Sequence, residues 1–312
     1  MNVILPALAQ LSLFLIISPL ITGVIRTMKA RFQTRRGPSI WQPYLDLHKL
    51  LRKGMIIPDT ASWLFSATPY VVFLTAAMVS LMIPMVATEA PLSLFGGVLA
   101  VVYLLALGRF FLALGGLDTG TSFGGLGSSR EMTISAIAEP AMMVAIFTVA
   151  IAANSTNLSE IAKSAVGQSW RFLAPSQMLA FGALFIVLIA ETGRIPVDNP
   201  TTHLELTMIH EAMILEYSGP YLALIEWGAS LKQMVLMTLL VNTFFPFGLS
   251  PGWNVFGIAT GLGFYLLKLL IICCLIVLVE TTNAKMRLFR VPELLAVAFI
   301  LGALALISTF LF

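Results

Sequence analysis

The chain has 312 residues, 58% hydrophobic and only 11% charged, with a net charge of +3 and a mean hydropathy of +0.94. Soluble domains run nearer ~45–50% apolar and ~25% charged, so this composition excludes a soluble globular protein and describes a polytopic membrane one. Cys273 and Cys274 are adjacent in an apolar run, and His48, His203 and His210 cannot build a metal cage without carboxylates, so neither a disulfide framework nor a metal site is indicated.

Apolar windows long enough to span a bilayer occur eight times, at about 3–25, 61–87, 94–116, 132–153, 175–192, 220–246, 254–281 and 291–312. Helices satisfy their own backbone in hydrocarbon. The pattern therefore predicts an all-α polytopic membrane protein in one membrane domain, 1–312, with about eight transmembrane helices and an amphipathic surface helix between the first two. Residues 1–25 carry no charge and the cations follow the apolar run, which is not the order of a cleavable signal. The first connection holds eight cations: Arg26, Lys29, Arg31, Arg35, Arg36, Lys49, Arg52 and Lys53. Alternate connections add Arg130, Arg194, Lys285, Arg287 and Arg290, making thirteen on that side against Lys163 and Arg171 on the other. Positive charge stays in the cytoplasm, so the odd connections are expected inside and both termini outside. Arg109, Lys232 and Lys268 fall within apolar windows.

In the first connection, Trp41, Tyr44, Leu45, His48 and Leu51 recur at helical spacing while Asp46, Lys49, Arg52 and Lys53 lie largely elsewhere on the wheel. That predicts an interfacial helix, beginning after Gly37-Pro38 and ending before Pro58, which either anchors to the membrane surface or shapes a cavity. Asp59 and Thr60 are candidate caps for the next helix. The third connection, GLDTGTSFGGLGSSREM, lacks a preceding strand and a complete phosphate-loop pattern. A tight loop meeting a partner subunit is the better reading of its glycines, with Asp118, Arg130 and Glu131 as docking or cavity residues. Glu139 lies inside the fourth helix, where a carboxylate is expected to face the bundle interior.

The fifth connection, ETGRIPVDNPTTHLELTMIHEAMILEYSG, holds Glu191, Asp198, Glu205, Glu211 and Glu216, five of the fifteen acidic residues. Carboxylates beside spanning helices mark an ion path or a docking face, the alternative being a solvated loop. Gly193, Pro196 and Pro200 break the fifth helix, and a helical turn is expected from about Thr201 to Glu216. His203 and His210 would share a face there, and a histidine–carboxylate pair can relay protons or simply form a polar face against a partner. Lys232 and Lys268 each need a carboxylate, carbonyl or water, and Glu139 or Glu191 suits Lys232 better than Glu226 does.

Three segments together, RRGPSIWQPYLDLHKLL (35–51), the Glu139 helix and ETGRIPVD…EYSG (191–219), resemble the membrane subunit that joins the two arms of respiratory complex I, subunit 1 of the mitochondrial enzyme. GLDTGTSFGGLGSSRE (116–131) is similar to the homologous subunit of group 4 membrane-bound [NiFe]-hydrogenases, of the formate hydrogenlyase and hydrogenase-4 kind. The resemblance implies a multi-pass subunit of the cell (inner) membrane, non-catalytic and without a cofactor of its own. It would dock an iron–sulfur subunit and a hydrogenase-like large subunit on its cytoplasmic side, with antiporter-like subunits alongside. Iron–sulfur centres, and nickel–iron where nickel is retained, would belong to those partners. Nucleic acid is not among them.

By position, Arg35, Arg36, Gly37 and Pro38 match the lead into the surface helix, and Glu139, Glu191, Arg194, Asp198, Glu205 and Glu216 match an acidic path toward ion-translocating subunits. Quinone-linked relatives carry three carboxylates where this chain has Thr201, His203 and Glu205, which speaks against carrying their quinone site over. A complex I subunit proper and an independent ion-coupled transporter are the rival readings. No nucleophile constellation, metal set or nucleotide loop points to a stand-alone enzyme.

Overall fold

The computed structural model describes residues 4–167, 174–199, 208–250, 252 and 255–311. Among them the chain forms α1 (Ile4–Phe32), α2 (Gln42–Arg52), α3 (Trp63–Met82), α4 (Val98–Asp118), α5 (Ser122–Ala153), α6 (Leu158–Gly167), α7 (Pro175–Glu191), α8 (His210–Ile214), α9 (Gly219–Phe244), α10 (Val255–Thr282) and α11 (Val291–Leu311). Each of the eight apolar windows falls on a helix. Seven of those helices are long and apolar enough to cross a membrane, while α7 is shorter at 17 residues. Only isolated bridges, Ala87 with Ser250 and Gly97 with Asn157, break the all-helical character of the described residues.

The helices alternate in direction. At one end Thr60 donates to the Thr119 carbonyl, Ser62 meets Asp118, Arg130 donates to the Met208 carbonyl and the Met286 amide bonds Pro196. At the other end Val98 bonds Thr156, Leu158 bonds Gly96 and Ser250 bonds Val86. The odd connections therefore share one end of the bundle and the even connections the other. That grouping is the one the cation asymmetry requires. Helix α9 is the central post: from Leu231 to Phe244 almost every side chain but Lys232 is buried. Helix α3 packs against it and pairs with α4 on its other side, while α5, α7 and α11 form a second group. Helices α1, α10 and α11 are the least enclosed spans, with a third or less of their apolar windows buried, as suits helices solvated by lipid.

Three local expectations are corrected. The glycine-rich third connection is not a loop: α4 runs to Asp118 and α5 begins at Ser122, so Gly124, Gly125 and Gly127 are helical. The Thr121 hydroxyl accepts from the Gly124 amide and caps α5. Second, α3 is capped by Ser62 rather than Asp59 or Thr60, and the Asp118 carboxylate holds that cap, accepting from the Ser62 amide at 2.7 Å, the Ser62 hydroxyl at 2.7 Å and the Phe65 amide at 3.2 Å. Third, helix in the fifth connection is confined among described residues to His210–Ile214; Met208 and Ile209 are not helical, and His203 and Glu205 lie outside the described residues.

The glycines of α5 serve close approach. A methyl group at Gly124 would stand 2.1 Å from the Gly116 carbonyl oxygen, whereas one at Gly125 would meet nothing nearer than 4.0 Å. Forcing α4 and α5 apart costs about 1–3 kcal/mol, while removing a helix-interior glycine gains roughly 0.5–1 kcal/mol. Gly124→Ala is thus expected to lower, and Gly125→Ala to raise, the thermal unfolding midpoint of the purified protein. Equal effects at the two positions would contradict this packing.

Candidate functional site

A cavity of about 960 Å³ opens at the cation-rich end of the bundle. Its walls come from α1, α3, α4 and α9, the end of α7 with Thr192–Ile195, and α8, while Arg35, Arg36, Gly37 and Pro38 line it ahead of α2. Apolar side chains such as Ile25, Val72, Leu105 and Ile225 share the lining with charged ones. Two ion networks stand on its wall.

The first is centred on Arg109 of α4, which is only 5% exposed. Its guanidinium donates to the Glu191 carboxylate at the end of α7 and, at 3.0 Å, to Glu139 of α5; Glu131 of α5 lies 3.7 Å from Nε. Lys232 of α9 approaches the same Glu191 oxygen at 2.8 Å. Glu191 is almost fully enclosed and Glu139 about a third exposed, so the network runs from the buried interior toward an accessible edge. Arginine suits the centre because its planar fork can serve several carboxylates while staying charged. Two cations, Arg109 and Lys232, face three carboxylates, Glu131, Glu139 and Glu191. One negative charge is left in excess.

The second network joins the fifth connection to α1, α9 and α10. Arg194 donates to Glu280 at 2.9 Å and to the Gln233 amide oxygen at 2.8 Å, and Lys29 reaches the other Glu280 oxygen at 2.8 Å. Nearby, Asp198 pairs with Lys285 at 2.7 Å and accepts from the Asn199 and His210 amides, tying this connection to the segment between α10 and α11. Tyr217, in the turn before α9, stacks on Phe65 at 4.0 Å and donates to its carbonyl. Burial pushes the Tyr217 phenol above its ordinary range, so it acts as a neutral donor.

The expected site residues thus separate into groups. Glu139, Glu191, Glu131 and Lys232 meet around Arg109, and Arg194 joins the second network. His210 and Glu211 line the cavity, with no hydrogen bond joining their side chains among the described residues. Glu216 is exposed and outside the lining. Asp118 is engaged at the start of α3, and the Arg130 guanidinium donates to the Met208 carbonyl. Lys268 is far from both networks in its bonding: it donates to Asn242 and to the Phe245 carbonyl where α9 ends, which is a cation at a helix C-terminus. Sequence reasoning missed Arg109, Glu280, Lys29 and Gln233 as members. The signal was present for Arg109, a lone arginine in an apolar window.

Breaking a buried ion pair by removing one partner typically costs about 3–5 kcal/mol. Arg109→Met leaves three carboxylates without their shared cation and is expected to lower the amount of folded protein recovered from membranes severalfold. The double variant Arg109→Met/Glu191→Gln should recover much of it. An Arg109→Met protein as abundant and heat-stable as the parent would show that the pairing carries no structural weight.

Hydrogenase-4 component C of Escherichia coli (strain K12) is 37% identical over 300 residues, covering 96% of this chain and 93% of that one. Formate hydrogenlyase subunit 4 of the same organism is 33% identical over 308 residues, 99% of both chains. A subunit of the NADH-quinone oxidoreductase of Rubrobacter xylanophilus is 28% identical over 246 residues, 77% of this chain and 73% of that one. A chain from the membrane-bound sulfane sulfur reductase, an archaeal respiratory membrane complex, superposes with a TM-score of 0.87 over 99% of this chain and 100% of that one at 20% identity, and so shares the fold. The family pattern described as NADH dehydrogenase matches residues 5–311. This multi-pass membrane protein belongs to the NADH dehydrogenase family.

Proposed function

We propose that the chain is the membrane anchor and coupling subunit of a multi-subunit membrane-bound hydrogenase of the hydrogenase-4 and formate hydrogenlyase type. The observation that carries the reading is the Arg109 network: three carboxylates and two cations, all but Glu139 lining a cavity at the cation-rich end of a membrane bundle. Near-complete alignment with the two Escherichia coli subunits supports the hydrogenase branch over the complex I branch, whose relatives align over a shorter stretch. In this reading the chain catalyses nothing itself. An iron–sulfur subunit and a hydrogenase-like large subunit dock at the cation-rich, cytoplasmic end, and antiporter-like subunits pack alongside in the bilayer.

The chemistry follows from the charge count. A set with one carboxylate in excess can take up one proton or one cation, and in low dielectric its preference responds to any charge that changes nearby. Electron transfer in a docked partner changes such a charge. The altered pairing at Glu191 and Lys232 would then bias the position of α9, the element that touches both networks. The proton or sodium ion moved by neighbouring subunits is the output.

A quinone-binding role is the second reading, favoured by the cavity, whose ~960 Å³ is ample for a ring and part of a tail. Against it stands the closer likeness to the hydrogenase subunits.

The test uses Glu191→Gln, with Glu139→Gln as a partner variant that disturbs fewer contacts. In assembled complexes, hydrogen turnover with a soluble electron carrier should survive in both, while ion movement per turnover should fall, by roughly the 5–150-fold expected of a coupling interaction. Full coupled translocation in both variants, with the complex intact, would defeat the proposal. Quinone-dependent turnover by the purified wild-type complex would favour the second reading.

A further inference from the structure

The outer face of α2 is used by neither network. This helix does not sit above the bundle. The Thr27 hydroxyl donates to the Pro38 carbonyl at 3.0 Å, the Tyr44 hydroxyl donates to the Ile16 carbonyl, and Gly23 makes room where a Cβ would stand 2.1 Å from the Ile40 oxygen. Helix α2 and the residues leading into it therefore pack along α1 from Ile16 to Thr27, the stretch in which its apolar run gives way to Arg26, Lys29 and Arg31, and so reach the level of a bilayer interface. Its inward side carries Pro43, Leu47 and the Asp46 carboxylate toward the cavity.

The opposite side is chemically mixed, which corrects the expected separation on the wheel: Lys49, Arg52 and Lys53 share the exposed face with Trp41 and Leu45, at about 100° per residue. Trp41 and Leu45 are 63% and 59% exposed, and Lys49, Arg52 and Lys53 are exposed beside them. No carboxylate lies within ion-pair distance of these three cations among the described residues. Here an indole and a leucine lie among them at interface depth, with Trp41 packed 5.6 Å from Tyr44. Basic and aromatic side chains on one face of a half-immersed helix match a phosphate with acyl chains below it, since lysine and arginine lay their stems along hydrocarbon and lift the charge to the headgroup.

We propose that this face of α2 binds an anionic phospholipid, its phosphate at Lys49, Arg52 and Lys53 and its acyl chains along Trp41 and Leu45. The assignment is independent of the coupling reading, because it is judged by lipid content alone.

The experiment places the delipidated, assembled complex in vesicles of equal parts phosphatidylglycerol and phosphatidylethanolamine, re-extracts it, and measures retained lipid by mass spectrometry. Wild type should retain phosphatidylglycerol in preference, and each cation neutralised should weaken that preference roughly fivefold. Lys49→Gln/Arg52→Gln/Lys53→Gln should therefore show none, while Lys49→Arg/Lys53→Arg should keep it. If the triple variant fails to assemble, Arg52→Gln alone carries the test. Unchanged enrichment in the neutralised variants would overturn the proposal. So would a zero-length cross-link from Lys49 or Lys53 to a carboxylate of a soluble subunit in the intact complex, since protein would then cover this face.

Discussion

A guanidinium held in the middle of an apolar helix is the constraint around which the rest of the bundle is arranged. Arg109 on α4 can be buried only if carboxylates come to it, and they come from α5 and α7, with Lys232 of α9 completing the set. Exposing an uncompensated charge to hydrocarbon costs several kcal/mol, so these four helices cannot separate without that penalty. Charge pairing does for the Lys232 side of α9 what jigsaw packing of Leu231, Met234 and Val235 does for its other sides.

The two ends of the molecule are built on different physics. The even connections are joined by backbone hydrogen bonds, as between Val98 and Thr156, and their ion pairs, Lys163 with Glu89 and Glu160, are exposed. Such pairs contribute little. At the other end most ion pairs are enclosed, Arg26 with Asp46 being the exposed exception, and the first, fifth and seventh connections enter one of them or touch the cavity. Buried charge is costly to keep, so the two ends differ in what holds them together.

Much of this was legible in the residues. Eight apolar windows became eight helices because length and hydropathy are first-order properties of the chain, and the amphipathic helix followed from the spacing of Trp41, Leu45 and His48. For Lys232, excluding Glu226 on angular grounds left Glu139 and Glu191 open, and the structure pairs it with Glu191. The glycine run after Asp118 misled because glycine marks both turns and tight helix contacts, and local composition cannot tell them apart. Arg109 and Glu280 were invisible as partners for another reason. Their ion pairs join residues from 22 to 251 positions apart in the chain, for example Lys29 with Glu280, and only the packing of helices decides which charges meet.

Adjacent residues on α9 grip the two networks separately: Lys232 holds Glu191 and Gln233 holds Arg194. Their side chains leave the helix about 100° apart, yet their targets sit three positions apart in one short strap. The strap thus works like a two-pronged key in a shaft. Axial roll of α9 must loosen one prong as it tightens the other, so torque on this single rod is shared between both charge sets instead of being absorbed by either.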